Sequence, residues 1–540
     1  MLALEPMTIA IDFGTSNTVI ARWNPVTQQA ETLSIPGLSI QQSLNPPLIP
    51  SLVYIEDAAK NQVLVGQQVR DKGLDLSNEP RFFRSFKRGI GANIQGFMPE
   101  LDGQNVTFEQ VGKWFLTSII TQLSTAQPEV ADSLVLTVPV DSFEAYRHWL
   151  GSVCQDLAVQ EVRMLDEPTA AALGYGIADQ DILLVIDFGG GTLDLSLVRL
   201  DKSAQQPNSK PLGFLLKFGN KSLASDSKQK VKTARVLAKA GQNLGGTDID
   251  NWVVDYFVKN TGLVASPLTT RLAEKVKIQL STQTTASEVY FNDQTFETYE
   301  LDLNREMFEN ILKQHAFFER LDDSMTSLLQ QARRQGIEVT DINSVLLVGG
   351  TSQLPAVQTW IKNYFDTTKI KSERPFEAIA QGALQLTQGV EIKDFLYHSY
   401  GIRYWDKRNS RHSWHPIVKS GQPYPMSQPI ELLLGASLEN QPSIELIMGE
   451  LGAETGGTEV FFDGDRLITR RLDSGATTVK PLNDTEGART IANLTPPGFP
   501  GSDRVKIYFQ VDKQRFLRIT VEDLLTNETL LENQLVAQLS

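Results

Sequence analysis

Hydrophobic and polar positions along the chain follow two regimes. Up to residue 389, short apolar runs at 9–13, 133–138, 184–188 and 345–348 predict buried strands. Between them, stretches at 108–123, 143–157, 248–260, 269–281, 305–335 and 356–365 repeat apolar residues every three or four positions and predict helices. Beyond 389 the helical period disappears. Alternating runs at 429–434, 443–448, 459–462, 505–511 and 516–521 predict an antiparallel β domain, with turns at Asp463-Gly464 and Asp512-Lys513-Gln514-Arg515. The expected division is therefore 1–389, a linker at 390–400 (VEIKDFLYHSY), and 401–540. Residues 201–232, rich in Ser, Lys and Gln, read as a largely flexible surface insertion.

The N-terminal part also repeats itself. IAIDFGTSNTVIA at 9–21 and LVIDFGGGTLDLSLV at 184–198 each read as strand, Asp, small-residue turn and strand. A duplicated hairpin among alternating strands and helices predicts two similar α/β lobes facing one cleft.

Composition narrows the function. The net charge of −14, with 41% hydrophobic and 21% charged residues, describes a globular protein and speaks against gripping nucleic acid or an anionic membrane. A single cysteine, Cys154, excludes an intramolecular disulfide, and the five histidines lack metal-ligand spacing. The first residues show no signal peptide, and no apolar run has spanning length, so a cytoplasmic location is the expectation.

The paired Asp-Phe-Gly turns carry the strongest chemical signal. Gly14 and Gly189-Gly190-Gly191 let backbone amides approach phosphates, with Thr15, Ser16, Asn17 and Thr192 beside them. Asp12 and Asp187, at equivalent strand ends, suit the water shell of a Mg2+ ion. One such turn alone is better read as an ordinary hairpin; two in like context are not. Further Gly-rich turns, Gly245-Gly246 and Gly349-Gly350-Thr351, precede helices and would aim helix N-termini at a ligand, although packing glycines are the plainer alternative. Glu274, Lys277 and Ser281 share a helix face, which suits either a nucleoside or solvent. Glu167 opens a helix at DEPTAAAL, where a carboxylate either orients water or caps the helix.

In this order, IDFGTSNT, VLTVPVDSFEAYR, LDEPTAAALGYG, VIDFGGGTLDLSLV and VLLVGGTSQLP resemble the heat-shock 70-kDa (DnaK-like) chaperone family; GQNLGGTDID and AEKVKIQLS resemble two more of its blocks. The resemblance implies an actin-like (ribonuclease-H-like) two-lobed α/β ATPase domain followed by an antiparallel β-sandwich. It implies ATP or ADP with Mg2+, and K+ as a further ion. Asp12, Asp187 and Asp194 would surround the metal and its waters. Thr15 and Thr192 would approach the γ-phosphate, Lys87 would be the catalytic lysine, and Glu167 would place the attacking water. Pro139 and Arg147 would relay nucleotide state between domains, and Ile444 would face a peptide groove. Unfolded polypeptide clients, a J-domain co-chaperone and a nucleotide exchange factor are the implied partners, with no nucleic acid and no membrane.

Some positions depart from the family pattern. Ile278 and Gln353 stand where arginines usually sandwich the base, and Phe376 replaces an aspartate. DFLYHSY replaces the leucine-rich linker, and the expectation is of a family member without a helical lid after the last strands and with fast peptide release. Two competing readings remain open: a nucleotide-binding scaffold with little hydrolysis, and another actin-fold ATPase or kinase.

Overall fold

The computed structural model describes residues 7–24, 26–40, 45–76, 79–91, 98–126, 131–139, 144–155, 161–176, 181–202, 214–217, 232–292, 295–385, 396, 399–406, 411–419, 425–426, 428–451, 458–463, 466–471, 479–484, 489–512 and 515–539. The chain divides into two compact units, residues 1–391 with 458–470, and residues 392–457 with 471–540.

The first unit is built on two sheets of one design. In the first sheet, Met7–Phe13 pairs antiparallel with Asn17–Asn24 and parallel with Ala131–Val138, and Glu161–Asp166 lies parallel beyond. In the second, Ile182–Phe188 pairs antiparallel with Leu193–Lys202 and parallel with Ile342–Val348, with Ile370–Lys371 beyond. The repeated sequence is thus a repeated topology. The leading strand of each sheet is covered on both faces, which explains its continuous apolar run: Ile9, Ala10, Ile11 and Leu183 to Ile186 are each no more than 1% exposed.

The helices Phe108–Ala126, Glu144–Gln155, Gly246–Thr261, Pro267–Thr282 and Pro355–Lys362 answer the predicted ones. The long helix expected at 305–335 is two, Arg305–Gln314 and Phe317–Arg334. Leu312 and Phe317, both fully buried, are five positions apart and would lie on different faces of one continuous helix. A break at Ala316, in the left-handed region with φ 51°, resets the phase. Phe317 then stacks on Phe188 at 5.9 Å between ring centroids.

Within the insertion, Phe214–Lys217 forms a strand antiparallel to Glu161–Met164 at the rim of the first sheet. The strand falls on the apolar run Phe214-Leu215-Leu216; residues 203–213 and 218–231, where most of the expected flexible insertion falls, lie outside the described residues.

Two short helices, Glu167–Gly174 and Ala378–Gln385, cross at backbone contact. A methyl group on Gly174 would overlap the Ala378 carbonyl oxygen, and one on Gly382 would overlap that of Ala170. Glycine is required at both positions by this approach rather than by backbone conformation.

The second unit is an antiparallel β-sandwich. One four-stranded sheet runs Arg411–Val418, Ser399–Asp406, Met448–Leu451, Val479–Pro481; the other runs Ile430–Gly435, Asp503–Val511, Phe516–Asp523, Thr529–Gln538. Tyr400, Ile402 and Met448 from the first share a core with Val505, Ile507, Phe509 and Ile519 from the second. Of the expected linker, 390–395 and 397–398 lie outside the described residues, Leu396 is buried in this core, and Ser399 and Tyr400 begin a strand. The run expected at 443–448 splits into Gln441–Leu446 and Met448–Leu451, which join different sheets. A buried side chain makes the switch possible: the Met448 amide donates to Asn483 Oδ1 at 2.8 Å, and Asn483 Nδ2 donates to the Leu446 carbonyl at 3.0 Å. Asn483 thereby satisfies one backbone group on each side of the corner.

Candidate functional site

The duplicated hairpins bring their turns face to face. A methyl on Gly190 would collide with Ser16 Oγ, and one on Gly191 would lie 2.7 Å from Thr15 Oγ1. The other two glycine turns close on the same loop. The amides of Gly246 and Thr247 donate to the carbonyls of Gly189 and Gly190 at 3.1 and 2.9 Å, and Thr351 Oγ1 donates to the Gly189 carbonyl at 2.8 Å. Gly349 has φ 80°, and any side chain there would strike the Phe188 carbonyl. Four turns predicted separately thus converge into one cradle of backbone and hydroxyls, whose close approach is possible only because glycine side chains are absent.

The N-terminus of Gly246–Thr261 is fixed by Asp248, which accepts from the Gly245 amide at 2.8 Å and binds Arg88 at 3.3 and 3.2 Å. Arg88, 1% exposed at its side chain, anchors this helix end to the Phe86–Gly89 turn. Sequence reasoning passed it over because a basic residue beside Lys87 looks like surface.

Beside the cradle the charged side chains gather. Asp12 accepts from Thr137 Oγ1 at 2.8 Å. Asp187 faces Asp194 across its hairpin, a second acid that the first hairpin replaces with Val19. Glu167 opens its helix, but Asp166 does the capping, accepting from the Thr169 amide at 2.9 Å. That frees the Glu167 carboxylate to meet Lys87 Nζ at 3.3 Å, both side chains nearly buried. Lys87 is placed by its neighbour Phe86, packed with Phe13 and Phe115 at 6.0 and 5.6 Å.

These carboxylates are hard to ionise together. Burial first, and Glu167 second, push Asp12 up to about 7, against Lys87 and the Thr137 hydrogen bond. Burial, then Glu167, Asp194 and Asp12, raise Asp187 well above the ordinary value. Burial disfavours the Lys87 ammonium, but Glu167, Tyr146 and Asp12 outweigh it and keep the proton on more firmly than in an ordinary lysine. A cavity lined by Glu167, Asp187, Asp194, Ser196 and Lys239 adjoins the group. Even with Lys239 counted, carboxylates outnumber cations, and a divalent cation is the chemistry that relieves such a surplus. Among the described residues no three His, Cys, Asp or Glu side chains converge as a direct metal-ligand set. The carboxylates present would suit Mg2+ held through its waters rather than by direct ligation.

Farther along the cleft, Lys277 Nζ donates to the Gly246 carbonyl at 2.9 Å and pairs with Asp250 at 2.7 Å. Glu274 pairs with Arg70 at 3.4 Å, Arg271 pairs with Asp75 at 3.0 Å, and Ser281 Oγ donates to the Lys277 carbonyl at 3.3 Å. Ile278, on the same helix, is 52% exposed. Phe376 lies against the Gly350 turn, 3.0 Å from where a methyl would stand. Asn17 and Thr192 flank the two facing turns as first residues beyond them. Pro139 directly follows the strand Ala131–Val138, and Arg147 lies in the helix Glu144–Gln155 with its side chain outside the description. Ile444 belongs to the second unit, 7% exposed in its core and opposite Ala492. Tyr146 was not foreseen: an aromatic in an amphipathic helix signals core, and this one is also in electrostatic reach of Lys87, Glu167 and Asp12.

Comparison with known proteins shows the family of the chain. The chain is 25% identical, over 562 aligned positions covering 95% of it and 70% of the relative, to chaperone protein dnaK1 of Synechocystis sp.. The family model described as Hsp70 protein matches residues 8–206 and 232–404, passing over most of the insertion. With its cradle, its carboxylate group and this match over most of its length, the chain belongs to the Hsp70 family of ATP-dependent chaperones.

Proposed function

We propose that the first unit hydrolyses ATP to ADP and phosphate and that the cycle governs binding of extended apolar polypeptide by the β-sandwich. The observation that carries the reading is the buried Lys87–Glu167 pair beside Asp12, Asp187 and Asp194, at the edge of a side-chain-free cradle.

In this reading, amides and hydroxyls of 14–17 and 189–192 hold the phosphates, with Gly245, Gly246, Gly349, Gly350 and Thr351 bracing the loop and Glu274, Lys277 and Ser281 toward the nucleoside. Asp12, Asp187 and Asp194 would hold Mg2+ through its waters, and the ion would supply charge neutralisation at the phosphates. Glu167 orients a water and takes up its proton. The water oxygen bonds to the γ-phosphorus as the bond to the β-phosphate oxygen breaks, and ADP carries that oxygen away. Lys87 stabilises the charge that develops on the transferred group. Pro139 and Arg147 are assigned to interdomain coupling and Ile444 to shaping the peptide site from within. The unit boundaries of the notional ATPase and peptide domains, a J-domain protein, an exchange factor and a cytoplasmic setting complete the proposal. No described helix is long and apolar enough to cross a membrane.

The test is single-turnover ATP hydrolysis with Mg2+, with and without an unfolded model peptide, beside Lys87→Ala and Glu167→Ala. Slow turnover that peptide accelerates and either substitution abolishes is the expected result. Peptide binding with no turnover above the variants would overturn the ATPase assignment in favour of a nucleotide-binding scaffold.

A further inference from the structure

The strand Lys232–Gln242 forms the edge of the second sheet, antiparallel to Leu193–Lys202. Its register puts Lys239 opposite Ser196 and Gly241 opposite Asp194, and one strand further in Asp194 stands opposite Asp187. Opposed residues share a face of the sheet, so Asp187, Asp194, Ser196 and Lys239 are all on one side. Glu167 and Pro168 roof that side, and these residues line one cavity. It has room for about one water-sized body.

A lysine on an edge strand often does no more than keep other strands from pairing there, and such a guard points to solvent. Lys239 instead is half-buried and lines a cavity whose other charged members are three carboxylates. Asp194 is its diagonal neighbour, about 7 Å away between Cβ atoms in a regular sheet and within reach of a lysine stem. Glycine at 241 leaves the place opposite Asp194 clear of any side chain. Lys87 already meets Glu167, which leaves Asp187 and Asp194 beside each other on this face. Neighbouring carboxylates call for a compact cation between them. A space of this size suits a potassium or ammonium ion from solution, but the chain carries an ammonium group of its own at the same place.

We propose that Lys239 is a built-in counter-ion of the nucleotide site, its ammonium filling the cavity beside Asp187 and Asp194 in place of a monovalent ion. It is a positioning residue, acting on the phosphates only through the two acids it holds in place. The inference rests on the nucleotide-binding reading above, and it makes the K+ expected from the resemblance dispensable.

The test is the affinity of the full-length protein for ADP with Mg2+, measured by calorimetry in choline, potassium or ammonium chloride at one ionic strength. The parent is compared with Lys239→Met, which keeps the apolar stem and removes the charge, and melting temperatures are read without nucleotide. The parent is expected to bind ADP equally in all three salts. Lys239→Met should bind about tenfold more weakly in choline, the scale of one lost charged hydrogen bond. Potassium or ammonium, small enough to enter the vacated place, should restore its affinity. Parental affinity of the variant in choline overturns the inference alone, as does a parent that binds several-fold more tightly in potassium than in choline. A lowered melting temperature with weakened binding that neither ion restores would make Lys239 a structural strut, and also overturns it. A parent that binds no ADP in any salt overturns the nucleotide reading and this inference with it. If Lys239→Met does not fold, Lys239→Gln is read in the same way, and the parent's response to the three salts decides by itself.

Discussion

Both units bury acidic side chains, and they treat them in opposite ways. In the β-sandwich, Asp523 is 1% exposed and fully engaged: Arg504 donates to it at 2.9 and 2.6 Å, and the Leu525 and Thr526 amides at 2.8 and 3.3 Å. Burial alone would raise its pKa, but these donors reverse the balance and hold it below the ordinary value. In the first unit, Asp12 has one hydroxyl donor and a crowd of like charges, and it moves the other way. The same residue type is a completed structural joint in one unit and an unmet demand for ligand in the other. Satisfied groups fix a fold; unsatisfied ones wait for chemistry.

The contrast is sharpest at Glu167. Changing it to Gln is expected to slow single-turnover hydrolysis by about 100-fold or more, the range for losing a general base. It should leave the melting temperature near that of the parent, because one repelling charge is removed along with one partner of Lys87. A large loss of stability would place Glu167 with the structural acids.

Asp523→Asn should do the reverse. Leaving Arg504 buried without its carboxylate costs about 3–5 kcal/mol, read as a lowered urea midpoint of the β-sandwich transition. Peptide-free ATP turnover should not change; if it does, the two units are not separable in this way.

Acidity offers a third handle. Because the folded-state pKa of Asp12 is raised, from 3.8 to about 7, its contribution to stability is present at low pH and lost as pH rises through about 7. The nucleotide-free first unit should therefore melt higher at pH 6 than at pH 8, and Asp12→Asn should flatten that difference. Asp523, lowered, contributes above the ordinary carboxylate range and is lost only as pH falls through its depressed value. An unaltered pH trend in Asp12→Asn would remove Asp12 from the account.

The smallest effect is expected where ion pairs are partly exposed. Arg70–Glu274 and Arg271–Asp75 join 67–76 to the helix that carries Lys277. With side chains 22% to 31% exposed except for Asp75, each contributes little to stability. Arg70→Gln with Arg271→Gln should instead speed ADP release a few-fold in a stopped-flow chase. Unchanged release would assign these pairs to the surface.

What the sequence disclosed was local. A strand, an Asp and a glycine turn occupy consecutive positions, so both hairpins and the residues 12–18 and 187–194 were visible, as was Glu167 at its helix mouth. What it withheld depends on partners far away in the chain. The Asp166 cap that frees Glu167 differs from it by one position, and only coordinates separate the two roles. Arg88 finds Asp248 across 160 positions, and Arg70 finds Glu274 across 204. Asn483 sits in a loop, so nothing around it announces that it spans two sheets. The strand Ser399–Asp406 starts inside VEIKDFLYHSY, whose mixed pattern hides it. Tyr146 looks like core because it is core, and its electrostatic reach to Lys87, Glu167 and Asp12 is something pattern reading does not weigh.

The crossing of Glu167–Gly174 with Ala378–Gln385 carries a consequence for motion. Helices held apart by interlocked side chains resist turning, since each knob must leave its hole. Here backbone rests on backbone at Gly174 and Gly382, and the contact is smooth. A contact made of backbone holds no side-chain interlock that must break before one helix turns against the other. Because Glu167 is the first residue of one of the two helices, any such turn would carry its carboxylate, and with it the Lys87 pairing, along.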